Sequence, residues 1–87
     1  MSEYLKISKN VTYESIDENI YILNLDDGEY YMLSKSASEI WKEIDNGINI
    51  KNLKIKFKSS FPDNVSIEDD IDEVITDLID LNLIQHH

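Results

Sequence analysis

Two apolar runs, Asn19–Leu25 and Glu29–Leu33, flank Asp26-Asp27-Gly28. Asp-Gly between apolar strands marks a hairpin, because tight turns need positive φ values that these residues tolerate. A two-residue turn at Asp27-Gly28 places Leu23, Leu25, Tyr30 and Met32 on one face and Ile20, Ile22, Tyr31 and Leu33 on the other. A hairpin buried on one side only should alternate apolar with polar. Here the extra apolar face is either a second buried face or a docking surface. If Asp26, Asp27 and Gly28 all sit in a bulged loop, the faces shift by one. Val11–Ile16 reads as an earlier strand, with Val11 and Tyr13 facing one way and a turn supplied between Glu14 and Glu18. Residues 1–10 and 85–87 are expected to be loose, although Tyr4, Leu5 and Ile7 can pair with something.

The period then becomes helical. Ala37, Ile40, Trp41 and Ile44 predict a helix from Ser36 to about Asp45, capped by Ser34 or Ser36 and closed at Asn46-Gly47. Trp41 lies on that stripe and is expected in the core. Ile50, Leu53 and Phe57 predict a second helix over 50–59, and Phe61-Pro62-Asp63-Asn64 breaks it. Ser66 is the expected cap of a third helix. Its core stripe is Ile67, Ile71, Val74, Ile75, Leu78 and Leu81, and Asn82 closes it. Three antiparallel strands followed by three helices make an α+β domain, a winged helix-turn-helix with the wing-like hairpin placed first.

The 87 residues form one small domain. There is no cysteine, no basic-then-apolar leader and no apolar stretch of membrane-spanning length, which points to the cytoplasm and no membrane contact. Eighteen acidic residues against eight lysines and no arginine give a net charge of −10. That field repels phosphate backbones and favours cationic partners, so nucleic acid is not expected as a ligand. Four of the lysines, Lys51, Lys54, Lys56 and Lys58, fall on the second helix, where a solvated face is the plainer reading.

Catalytic chemistry is poorly supplied. The only histidines, His86 and His87, read as a tag remnant or a frayed end, and no serine has a histidine partner in the folded body. The acids of the third helix lack the tight loop that a hard cation needs. No catalytic residue, cofactor or metal is expected, and the protein reads as a non-enzyme. An open edge on Glu29–Leu33 would instead accept an extended peptide by strand addition. Asp70, Glu73 and Asp77 flank the core stripe beside Val74 and Leu81, so that side can line an acidic groove. The alternative is an edge covered by a terminal strand or by a second copy.

The order and spacing of Gly28-Glu29-Tyr30-Tyr31-Met32-Leu33-Ser34, Ala37…Ile40-Trp41, Asn46-Gly47, Leu53…Phe57, Asp70-Ile71, Val74-Ile75, Leu78 and Leu83-Ile84 resembles the PqqD-like family of RiPP recognition elements. Ser34 stands where the family has Asn, and Asn82 where it has Gly. The resemblance implies a domain that binds the leader of a ribosomally made precursor peptide as an added strand between the third strand and third helix. It implies Glu29, Tyr30, Tyr31, Met32 and Leu33 as template, with Asp70, Val74, Asp77 and Leu81 in the groove. A modifying enzyme or leader peptidase is the implied second partner. A free domain of this kind looks most like those of lasso-peptide pathways, with radical-enzyme pathways next. A monomer or weak homodimer is expected. The rival readings are a winged-helix DNA-binding regulator and a dimerisation module.

Overall fold

The structure is a computed structural model that describes residues 4–86. Met1, Ser2 and Glu3, and with them the start of the segment expected to be loose, lie outside the described residues, as does His87. Chain order is β1 (Leu5–Ile7), β2 (Val11–Ile16), β3 (Asn19–Asn24), β4 (Tyr30–Met32), α1 (Lys35–Asp45), α2 (Ile50–Ser60), α3 (Ile67–Asp80) and β5 (Ile84–His86). The expected three-stranded antiparallel sheet is β2-β3-β4, and the three expected helices follow it.

The segments expected to be loose are partly paired. β1 and β5 form a separate antiparallel pair, Leu5 opposite His86 and Ile7 opposite Ile84, and Tyr4 bridges to Asn49. Leu5 and Ile84 are buried, and that burial is what holds two otherwise polar termini in place.

The β2–β3 turn is shorter than the sequence suggested. Glu14, Ser15 and Ile16 stay in the strand, and only Asp17 and Glu18 turn, both with positive φ (50° and 71°). That is the backbone of a two-residue hairpin turn, whose twist matches its strands. The β3–β4 connection is longer than expected: Leu23 pairs with Tyr30, and Gly28, at φ 74°, donates to the Asn24 carbonyl. Relative to a two-residue turn the register has slipped by two. An even slip leaves every side chain on its original face, so Ile20, Ile22, Tyr31 and Leu33 still share the inner side.

Helix ends follow the local chemistry. Ser34 Oγ accepts from Ala37 N–H at 3.2 Å and Asn49 Oδ1 from Asn52 N–H at 2.7 Å. Ser66 occupies the cap position of α3 but its side chain makes no capping bond, contrary to expectation. Asn64 Oδ1 instead accepts from Ser66 N–H at 3.0 Å, which fixes the turn into α3. α1 and α3 end alike. Gly47 and Asn82 have positive φ, and the next residue in each case (Ile48, Leu83) donates back to Glu43 or Leu78. This double-bonded helix stop satisfies carbonyls that would otherwise be orphaned.

The core gathers Ile20 and Ile22 from β3, Ile40, Trp41 and Ile44 from α1, Leu53 and Phe57 from α2, and Ile71, Ile75 and Leu78 from α3. Trp41 is fully buried, with Tyr13 edge-on at 5.3 Å.

Candidate functional site

β4 borders the sheet: it pairs with β3, and among the described residues nothing pairs with its other side. The ladder decides which groups are free. Asn24 N–H donates to the Glu29 carbonyl and Leu33 N–H to the Ile20 carbonyl, so residues 29, 31 and 33 turn their polar backbone towards β3. In an antiparallel pair the alternate residues point theirs away. Tyr30 and Met32 therefore offer two N–H and two C=O groups outward. Their side chains are also exposed, at 59 % and 63 %, on the outer face with Tyr21 and Leu23. Tyr31 is half-buried and Leu33 buried, both on the core side. Loss of water around the Tyr31 hydroxyl, with Asp27 and Glu29 nearby, pushes its pKa up.

The end of β4 is locked to α1. Ile20 N–H donates to Ser38 Oγ at 2.8 Å, and Ser38 donates in turn to the Leu33 carbonyl at 3.4 Å. Asn19 Nδ2 reaches the same carbonyl at 2.9 Å. Ser38 is completely buried, so this bridge replaces a ladder bond that the strand ending at Met32 would lack.

Ion pairs orient α3. Lys54 meets Asp72 at 2.9 Å and Lys58 meets Glu68 at 3.3 Å, which sets that flank of α3 against α2. At 100° per residue, Ile67, Asp70, Val74, Asp77 and Leu81 fall on the opposite flank. Lys56 pairs with Glu43 of α1, so three of the four α2 lysines are engaged with neighbouring carboxylates.

A cavity of about 120 Å³ opens where α1, the end of α2 and the free flank of α3 meet. Ile40, Phe57, Phe61, Ile67, Ile71 and Val74 line it together with Ser36, Glu39, Asn64 and Asp70. It brings together two of the expected groove residues, Asp70 and Val74. Asp77 and Leu81 lie further along the same flank and do not line it, and Leu81 is 41 % exposed. Nor do Glu29, Tyr30, Tyr31, Met32 or Leu33 line it; they lead to it, since α1 begins two residues after Leu33. Sequence reasoning did not place the other eight lining residues in the site: it read Ile40, Phe57, Ile67 and Ile71 as core, Phe61 and Asn64 as a helix break and Ser36 as a cap, and did not single out Glu39. Glu39 had a signal, since it follows Ser36 by three residues and so shares its side of α1. Phe61, at a helix break, had none.

Among the described residues no group of three or more His, Cys, Asp or Glu side chains could hold a metal ion, and no helix is long and apolar enough to cross a membrane.

A short antiparallel sheet with an open, partly aromatic edge, placed before a helical trio, defines a small α+β recognition domain. The model of the PqqD family (coenzyme PQQ synthesis protein D) matches residues 19–84. The chain belongs to that family, and is a PqqD-like domain of the RiPP recognition element kind. No curated protein matches it. The solved structure of TbiB1 in complex with the TbiA(beta) leader peptide superposes with a TM-score of 0.84 at 25 % identity, over 92 % of this chain and 94 % of that one.

Proposed function

We propose that this protein is a non-catalytic leader-peptide-binding domain that takes up a precursor peptide as a strand added to β4 and presents it to a modifying enzyme or leader peptidase in the cytoplasm. The pathway type favoured is that of lasso peptides, with radical-enzyme pathways next. The observation that carries the reading is the free backbone of Tyr30 and Met32 at a sheet edge whose strand leads to an apolar cavity. The solved TbiB1 complex with a leader peptide supports the same class of ligand. Four added backbone bonds contribute about 2–6 kcal/mol net. One or two buried apolar side chains add about 1.5–3 kcal/mol each. The cost of associating and ordering the peptide is set against these terms, which leaves binding micromolar or weaker. The functional consequence is tethering: the core peptide is held at raised effective concentration beside the enzyme.

Met32→Pro tests the reading. Met32 N–H points away from β3, so the substitution removes an outward donor and no bond of the sheet, and proline is tolerated on an edge strand. In fluorescence anisotropy with the labelled leader of the cognate precursor, wild type should bind near micromolar and Met32→Pro should lose at least about tenfold. Equal binding by both would place the peptide elsewhere, for instance on the free outer side of β2.

A further inference from the structure

Resting on that reading, we infer that the opposite margin of the sheet, the outer side of β2, is a second strand-addition site. Its guest is an extended, lysine- or arginine-bearing segment of the modifying enzyme or leader peptidase. The ladder identifies the groups on offer. Leu25 N–H donates to the Asn10 carbonyl, so residues 12, 14 and 16 of β2 turn their polar backbone towards β3. Val11, Tyr13 and Ser15 therefore point theirs outward. Among the described residues no strand pairs with that side, and no backbone bond outside the sheet engages these groups.

Sheet margins of this kind are normally blunted. Proline, lysine, a bulge or very short length are the usual devices against unwanted pairing. β2 has none of them: its six residues pair one-to-one with β3, and none is proline or lysine. β4, by comparison, is three residues long.

Charge selects the occupant. Glu14, on the outer face of β2, and Asp17, in the turn that follows, join no ion pair among the described residues. On the strand's own segment the nearest cation is Lys9, two residues before Val11 and at the far end. A second copy brings another net charge of −10 to this margin and is repelled, whereas a cationic strand is attracted.

Placement gives the site its use. β3 lies between β2 and β4, so a leader on β4 and an enzyme strand on β2 do not compete. Four strand spacings of ~4.8 Å separate the two guests, which holds precursor and enzyme about 19 Å apart on one rigid sheet.

The test uses Ser15→Pro. Ser15 is exposed and its N–H points away from β3, so the change removes an outward donor and no bond of the sheet. A random peptide display library is panned on wild-type protein, keeping peptides lost with Ser15→Pro but retained by Met32→Pro. They should carry Lys or Arg, and in anisotropy Ser15→Pro should weaken them by about tenfold or more. Val11→Pro, at the first residue of the strand, should repeat the result, with thermal unfolding confirming that each variant is folded. The Glu14→Gln/Asp17→Asn pair should remove the basic preference. The labelled leader should bind wild type and Ser15→Pro alike, while processing of the full precursor by its enzyme should slow with Ser15→Pro and be inhibited by the selected peptides. No peptide of that selectivity, unchanged precursor processing, or a wild-type dimer in light scattering that Ser15→Pro dissolves would overturn the inference while leaving the β4 reading intact. Leader binding lost with Ser15→Pro and kept with Met32→Pro would sink that reading itself.

Discussion

Ser38 stands in for a rung that the short β4 cannot supply, and both of its partners are backbone groups in the interior. A buried donor left without a partner costs about 1–3 kcal/mol. Ser38→Ala should therefore lower stability by that amount in urea unfolding, and should loosen the junction from which the peptide edge extends. Tyr13 gives a pH prediction. Its hydroxyl donates to Asp45 Oδ2 at 2.5 Å, and that bond, helped by burial and the Asp45 charge, raises its pKa from 10.0 to about 12. A folded pKa above the unfolded one means the stabilisation is whole below pH 10 and lost as pH rises through about 12. Ultraviolet titration of tyrosinate should show a tyrosine ionising near pH 12 that disappears in Tyr13→Phe, and unfolding scans should show the two proteins converging in stability over that window. Neither residue was legible in the sequence as a partner. Serine on an apolar helix face and tyrosine on a strand carry no mark of a contact 18 or 32 residues away.

Elements were far more legible, because periodicity reports burial and burial decides which face turns inward. The inner and outer faces of the hairpin follow from the alternation of Ile20, Ile22, Tyr31 and Leu33, although the loop itself is longer than Asp27-Gly28 alone would make it. That error was harmless only because the slip is even. The closing of α1 at Gly47 and of α3 at Asn82 was equally legible, since few residues accept positive φ. The cap position of α3 was legible at Ser66, but not that its hydroxyl makes no capping bond while the Asn64 side chain holds the turn. The β2–β3 turn offers a prediction at this scale. Glu18 holds φ 71° without being glycine, a conformation that costs an L-residue roughly 1–2 kcal/mol. Glu18→Gly relieves the strain, less glycine's extra unfolded-state entropy, so stability should rise by about 0.5–1 kcal/mol in thermal or urea unfolding. Its exposed pairing with Lys35, at 3.5 Å, is too solvated to offset that.

Across the whole molecule, charge and the pairing of the chain's ends matter most. With a net charge of −10 and most α2 lysines engaged, the field seen by a ligand is negative. Affinity for a lysine-containing leader should fall as salt rises from about 0.05 M to 0.5 M, because the Debye length shrinks severalfold; titrations at the two ionic strengths measure this. Which groove flank of α3 faces α1 could not be read from a helical wheel, because only ion pairs to α2 break the symmetry. The pairing of β1 with β5 was equally hidden, since three-residue strands leave too little pattern to detect. Leu5→Ala should cost about 2–5 kcal/mol in urea unfolding, as expected for a core side chain rather than a loose tail. Leu5 and His86 sit opposite one another across the β1–β5 pair. A few linking residues there, with new ends cut at the exposed Pro62-Asp63 bend, would give a permuted chain with the same recognition edge. Such a rewired version would let cargo be attached at the α2–α3 corner, leaving the β1–β5 seam sealed.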